Sequence, residues 1–148
     1  MRVDKKSLFL SVGICLLPIL IGVYYYDVLP EQIAVHFNFN GEPNNFVSKT
    51  RAIIDVPIFL AVVQVIISLV VDFDKTPKKG ALIIKGIIPL ISVLVQGGIV
   101  AYALDNNFNV TQLTAFVMGI VFIILGNYLP KKEFWGKYNF NLFGLEKG

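Results

Sequence analysis

The residues of this chain whose types and spacing suit chemistry lie together in one polar loop between two apolar blocks. The loop covers residues 27–51 and contains the only histidine of the sequence. An imidazole titrates near neutral pH and binds metals, and amide side chains both donate and accept hydrogen bonds. The sequence therefore predicts a ligand-facing or loop-shaping role for five residues: His36, Asn38, Asn40, Gly41 and Glu42.

The same loop alternates between apolar and polar residues, which predicts an extended segment with two unlike faces. The apolar face holds Ile33, Val35, Phe37 and Phe39. The polar face holds His36, Asn38 and Asn40, and the following Gly41 and Pro43 predict a turn. Two interpretations are open. In one, His36 and Asn38 bond to loop backbone in a hairpin-like cap on the helix ends; in the other, the polar face contacts an external ligand.

His36 is also the residue on which any metal site in the loop would be centred. His36, Asn38 and Asn40 stand at alternate positions before Gly41, which resembles part of a calcium-binding loop. Val47, however, stands where the bidentate glutamate of such a loop belongs. A transition-metal site would need carboxylates from a small set: Asp27, Glu31, Glu42 and Asp55. The sequence has no second histidine, nucleophile elbow or phosphate-binding glycine loop, so it favours a protein without catalytic activity and without a cofactor.

Outside this loop, the composition is that of a membrane protein rather than of a soluble domain. Hydrophobic residues make up 55% of the 148 residues, charged residues 16%, and the mean hydropathy is +0.70. The apolar residues form four blocks, each near the roughly 20 residues that cross a bilayer: 8–26, 52–71, 81–104 and 110–129. The sequence predicts an all-α membrane protein, a four-transmembrane-helix bundle over residues 1–130 with an ordered extracytoplasmic loop between its first two helices.

The distribution of lysine and arginine predicts the orientation of the chain. These residues precede the first block, separate the second from the third and follow the fourth, but only two occur in the 27–51 loop and none between 105 and 109. We expect both termini in the cytoplasm, with residues 131–148 on the inner membrane surface as an amphipathic tail. Lipid is the expected partner of the basic residues. The sequence has no basic stripe of the kind that would indicate binding to nucleic acid.

Polar residues within or beside the spans form a second group of candidates: Asp55, Gln64, Gln96 and Asn127. We expect Asp55 to pair with Arg51 one helical turn earlier. We expect Gln64 and Gln96 to lie at similar depth on antiparallel spans and to hydrogen-bond to each other.

Further residues predict how the spans pack. Pro18 predicts a kink in the first span, where a neighbour must satisfy the freed carbonyl. Lys85 is expected to extend outward to the membrane surface, and Asp72 to lie in a solvated turn. Close helix contacts are predicted at two pairs of small residues: Gly97 with Ala101, and Ala115 with Gly119.

Two motifs of the chain resemble the hallmarks of a known family. The first consists of Leu29, Pro30, Ile33, His36, Phe37, Asn38, Asn40, Gly41, Glu42, Pro43, Ser48 and Lys49. The second is the run Gly126–Lys131 at the end of the last block. Together they resemble the domain of unknown function in the N-terminal half of SdpI-type membrane proteins. Residues 141–146 resemble only the opening of the motif that leads such proteins into two further helices, with Glu146 roughly where an arginine belongs.

SdpI-type proteins are bacterial immunity factors that protect the producer from a secreted peptide toxin and signal by holding a repressor at the membrane. The resemblance implies a non-enzymatic immunity or signalling protein, alone or as a homo-oligomer, whose outer loop meets the toxin and whose tail docks a cytoplasmic regulator. It implies toxin-facing or loop-shaping roles for His36, Asn38, Asn40 and Gly41. Two other interpretations stay open: a metal-dependent membrane enzyme centred on His36, and an accessory subunit of a membrane transporter.

Overall fold

The computed structural model of this chain describes residues 3–74 and 77–128. Its helices are α1 (Lys5–Leu16), α2 (Ile19–Tyr24), α3 (Lys49–Phe73), α4 (Lys78–Leu104) and α5 (Val110–Tyr128). Two strands, β1 (Gln32–Phe37) and β2 (Pro43–Ser48), form an antiparallel hairpin, and a 3-10 turn covers Tyr26–Val28. The predicted tail at 131–148 and the end of the Gly126–Lys131 motif lie outside the described residues.

Four helical segments are long and apolar enough to cross a membrane: Lys5–Tyr24, Lys49–Phe73, Lys78–Leu104 and Val110–Asn127. Their positions agree with the four predicted blocks, with α1 and α2 together forming the first. They indicate a multi-pass membrane protein in a lipid bilayer. The fold differs from the predicted all-α bundle in one respect, because the loop between the first two spans contains the β1–β2 hairpin.

The first span is interrupted at Pro18, between the end of α1 and the start of α2. Proline has no N–H to continue the helical ladder and its ring crowds the preceding turn. The hydroxyl of Ser92 in α4 donates a 2.8 Å hydrogen bond to the carbonyl oxygen of Cys15 at this break. A neighbouring helix thus satisfies a carbonyl beside the break, as the prediction for Pro18 requires.

The helix bundle has small and polar residues inside and large apolar residues outside. Side chains that are buried among α1, α3 and α4 include Ser11, Cys15, Ala61, Ser68 and Ser92. Large exposed side chains include Phe9, Leu20, Phe59, Ile66, Phe122 and Ile123. Such a surface would be unfavourable in water, whereas lipid tails solvate it and small interior residues let the helices approach closely. The packing therefore agrees with the membrane setting that the composition predicts.

Glycines mark two close helix contacts, and neither uses the predicted small-residue pairs. A Cβ on Gly22 would lie 2.5 Å from Cγ1 of Ile53, which brings α2 against α3. A Cβ on Gly98 would collide with Leu113 of α5. In contrast, a Cβ on Gly97 or on Gly119 would meet nothing within 4 Å. The predicted contact at Gly97 is therefore wrong by one position, because α4 turns the next glycine toward α5.

The hairpin is anchored on the helix ends by an apolar cluster. Six buried residues form it: Leu29, Ile33, Ala52, Ile53, Ile99 and Val100. The ring of Phe37 packs edge-to-face on Tyr102 of α4, with centroids 5.0 Å apart. Pro43 does not end the ladder as its chemistry suggests; it is the first residue of β2, where a missing N–H is tolerated. We call this end of the bundle the hairpin end.

Candidate functional site

The turn of the hairpin is shaped by the side chain of Asn38. Its Oδ1 accepts hydrogen bonds from the backbone N–H groups of Asn40 and Glu42, both at 2.9 Å. Gly41 has a φ of +79°, a left-handed conformation that costs other residues about 1–2 kcal/mol. The two bonds to Asn38 and the left-handed Gly41 hold the turn in this conformation.

His36 lies exposed near the end of β1 and is paired with a side chain rather than with backbone. Its Nδ1 lies 2.6 Å from Oδ1 of Asn44 on β2. Because an amide oxygen only accepts, the neutral imidazole carries its proton on Nδ1 in this arrangement. Of the backbone bonds that one interpretation gives to His36 and Asn38, the structure contains those of Asn38, whereas His36 pairs with a side chain. Phe39, which the alternation places on the apolar face, is fully exposed at the hairpin tip.

A groove of about 700 Å³ separates the hairpin from the start of α5. One wall consists of five consecutive residues of the hairpin, Val35, His36, Phe37, Asn38 and Phe39, and the other of four residues of α5, Val110, Thr111, Thr114 and Ala115. Val35, His36 and Phe37 are consecutive in β1 and have side chains on alternate faces, so their joint lining indicates that the groove runs along the edge of the strand; Asn38 and Phe39 continue the wall beyond it. The sheet has two strands, so this edge of β1 has no strand partner among the described residues.

The groove has the size and lining of a ligand site. Its volume falls within the roughly 300–1,000 Å³ of typical pockets, and it combines apolar walls with a few polar groups. The polar groups are His36, Asn38, Asn44, Thr111 and Thr114, and none of the lining side chains carries a formal charge when His36 is neutral. An extended chain could add to the open edge of β1 here through main-chain hydrogen bonds.

Acidic residues outnumber basic ones around the hairpin end. Five carboxylates occur in residues 27–109 on this side, namely Asp27, Glu31, Glu42, Asp55 and Asp105, against the two bases Lys49 and Arg51. Both bases are engaged. Lys49 Nζ lies 3.6 Å from Glu31, 4.3 Å from the Tyr26 ring centre and 3.0 Å from the Tyr26 carbonyl. Arg51 and Asp55 form the predicted pair, at 2.9 Å.

A second polar cluster, which the sequence reasoning missed, lies at the opposite end of the bundle. Lys85 Nζ lies 2.7 Å from Oδ1 of Asp72, and the two side chains are only 4% and 9% exposed. The ammonium also donates to Ser7 Oγ at 3.1 Å, and the backbone N–H of Asp4 donates to the other Asp72 oxygen at 3.0 Å. The cluster therefore joins α1, α3 and α4.

The expectations that Lys85 extends outward and that Asp72 lies in a solvated turn are thus wrong. Burial of the Lys85 stem between helices leaves the ammonium no route to the surface, and Asp72 supplies the counter-charge inside. A usable signal is present in the sequence. Lys85 is the only charged residue of its apolar block, and an opposite charge lies on the far side of a short turn between two antiparallel helices.

Nearby, Asp4 caps the start of α1. Its carboxylate accepts a hydrogen bond from the backbone N–H of Ser7 at 3.1 Å. This bond favours the charged form and holds the pKa of the Asp4 carboxyl below its usual value. The cap fixes the helix turn that carries the Ser7 hydroxyl.

The predicted bond between Gln64 and Gln96 is not formed. Gln64 Nε2 donates to the Lys85 carbonyl at 2.8 Å, whereas Gln96 Nε2 donates to the Ala52 carbonyl at 3.0 Å. Ala52 and Gln64 are twelve residues apart on α3, so the two glutamines differ in depth by about 18 Å. Asn127 is exposed near the end of α5. The four polar span residues are therefore not gathered into one site.

Within residues 3–74 and 77–128, no three His, Cys, Asp or Glu side chains lie together as a metal site requires.

Comparison with known proteins gives a match for one part of the chain. Residues 13–61 match a family model described as Domain of unknown function (DUF1648), a domain found in SdpI-like membrane proteins. No curated protein and no solved structure matches the chain. The matched range begins in α1, includes the whole hairpin and ends in the first half of α3. About a third of the chain is thus similar to this domain, and the hairpin with its open β1 edge lies within that third.

Proposed function

We propose that this chain is a non-enzymatic membrane protein that binds a secreted peptide in extended form along the open edge of β1. The observation that carries the proposal is the groove between β1 and α5, because three consecutive residues of β1, Val35, His36 and Phe37, line it beside the strand edge that has no partner among the described residues. Side chains of the α5 wall would then contact alternate side chains of the peptide. His36 and Asn44 would contribute polar contacts at one end.

Binding of a secreted peptide requires the hairpin end to face the cell exterior. The distribution of lysine and arginine supports this orientation, with both termini in the cytoplasm. The excess of carboxylates at the hairpin end would attract a cationic peptide more strongly than an anionic one. Together with the resemblance to SdpI-type proteins, these features support a role in immunity against a peptide toxin or in signalling its presence in a bacterial membrane. Docking of a cytoplasmic regulator by residues 131–148 belongs to the same proposal and rests on the sequence alone.

The test is survival of the organism that encodes this chain, deleted for its gene, in its own spent medium. Complementation with the wild-type chain should restore survival, and Ala115→Trp should not, because an indole on the α5 wall fills the groove. His36→Ala should weaken protection, since it removes the polar contact at the groove and its tie to Asn44.

Ile123→Trp is the matched control, because Ile123 is exposed on the same helix two turns beyond the groove. It should protect as well as wild type. Equal survival of the deletion strain and its parent, under conditions where the gene is expressed, would overturn the role in immunity. Equal protection by Ala115→Trp and Ile123→Trp would remove the groove from the mechanism.

A further inference from the structure

The lengths of the helices set the depth of the hairpin tip in the membrane. The apolar block that contains α5, residues 110–129, is followed in the sequence by Pro130 and Lys131, and its length corresponds to about 30 Å of helix, close to the roughly 30 Å hydrocarbon core. A span of this length has no residues to spare, so its first turn lies at the boundary of the hydrocarbon. In contrast, α3 and α4 have 25 and 27 residues and extend beyond the core.

The hairpin turn rests on that first turn of α5. A Cβ built on Gly41 would lie 2.5 Å from Oγ1 of Thr111, so the turn and the helix are in direct contact. The groove beneath the tip continues one turn further, to Thr114 and Ala115. The base of the hairpin is joined to α3 at Lys49, whereas its tip contacts α5 at Thr111, in the first turn of that helix.

The residue at the tip is an aromatic ring with no protein cover. Phe39 is fully exposed, although it follows an apolar pattern that would bury it in a soluble hairpin. On α5 the exposed Phe116 continues the apolar surface into the span. Aromatic rings at the ends of spans favour the region between headgroups and acyl chains.

We propose that the hairpin tip inserts into the bilayer interface, with Phe39 as its anchor, and that the groove opens toward lipid rather than only toward water. The partner of this surface is the boundary between headgroups and acyl chains. The inference rests on the contact with α5 and on the length of that helix, and it does not depend on the peptide-binding proposal. Its consequence is that a ligand adsorbed on the membrane reaches the groove by lateral diffusion.

Tryptophan fluorescence of the full chain in vesicles tests this inference. The native Trp135 is first replaced by Phe, and Phe39→Trp or Phe46→Trp is then introduced. Phe46 is the matched control because it is a half-exposed aromatic residue of the same hairpin that does not line the α5 groove. Phosphatidylcholine brominated near the glycerol end of its acyl chains is the lipid quencher, and iodide is the aqueous one.

The emission of the Phe39→Trp protein should fall by about twofold or more in brominated vesicles. It should also be shifted to the blue and be protected from quenching by iodide. The Phe46→Trp protein should be quenched less by lipid and more by iodide. Quenching of the Phe39→Trp protein by iodide with no response to brominated lipid would overturn the inference. Equal lipid quenching of the two proteins would also overturn it, because the tip would then not be the inserted element.

Discussion

Two ion pairs of nearly equal length, one at each end of the bundle, show how differently the two ends are built. Lys85 and Asp72 lie 2.7 Å apart with side chains 4% and 9% exposed. Arg51 and Asp55 lie 2.9 Å apart with side chains 67% and 49% exposed. Water screens the second pair, whereas the first has lost its hydration and depends on its partner. The geometry is similar, but the environment makes the first pair part of the helix packing and leaves the second a surface feature.

The same contrast holds for the uncharged groups. At the end opposite the hairpin, polar atoms of three helices bond to one another inside the bundle. At the hairpin end, polar groups line a groove, and one strand edge has no partner among the described residues. We infer that the first end sets the arrangement of the helices and that the hairpin end is arranged to accept a ligand.

The largest effect is expected from breaking the buried pair. Lys85→Met leaves the Asp72 carboxylate among helices without a counter-charge, which should lower the free energy of unfolding by about 3–5 kcal/mol. The double variant Lys85→Met with Asp72→Leu should recover most of this loss, because it removes both charges. Reversible unfolding in mixed micelles measures the change. Lys79→Met, at an exposed position, is the control. A loss for Lys85→Met no greater than that for Lys79→Met would contradict a structural role of the pair.

A smaller loss is expected where helix backbones meet beneath the hairpin. Gly22→Ala places a methyl group against the β-branched Ile53, which has little freedom to move, and should cost about 1–3 kcal/mol. Gly13→Ala in the same span meets open space and should be neutral or slightly stabilising. The same unfolding assay compares the two variants. Equal effects would show that α2 and α3 are not held in close contact at this glycine.

The hairpin turn should lose local stability when a substitution strains its backbone. Gly41→Ala requires a non-glycine residue at a positive φ beside Thr111 and should cost about 1–2 kcal/mol of local stability. Hydrogen exchange of hairpin amides in the full chain would report this as faster exchange, while the amides of α3 and α4 stay unchanged. Asn40→Ala is the control, because it keeps the hydrogen bond from the backbone N–H of residue 40 to Oδ1 of Asn38. Unchanged hairpin exchange in Gly41→Ala would contradict the assigned turn.

The smallest effect is expected at the exposed pair. Arg51→Ala should change the free energy of unfolding by at most about 0.5 kcal/mol, because solvent screens this i,i+4 pair. The effect should shrink further as salt is added. Unfolding of Arg51→Ala and Lys85→Met in the same micelles gives the ratio of the two stability losses. A loss at Arg51 that approaches the loss at Lys85 would remove the contrast between them.

Local sequence rules predict the spans, the turn and the Arg51–Asp55 pair, because hydropathy, glycine chemistry and helical spacing act over a few residues. The depth of Gln64 relative to Gln96 follows instead from how α3 and α4 slide against each other. That register depends on packing along both helices, which no short pattern encodes. The burial of Lys85 and Asp72 depends on the same register. The strand β2 is missed because its sequence is polar and begins with proline, so that pairing with β1, rather than its own propensity, makes it a strand.

Binding of a secreted peptide along β1 is tested by photo-crosslinking in living cells that are exposed to their own spent medium. A photoreactive benzoylphenylalanine replaces Ala115 in the groove wall or, as the control, Ile123 two turns further along α5. A covalent adduct with a secreted peptide is expected at position 115 and none at position 123, and mass spectrometry of the adduct identifies the peptide. Absence of a peptide adduct at position 115, or equal yields at both positions, would contradict the proposal that the groove along β1 is the binding site.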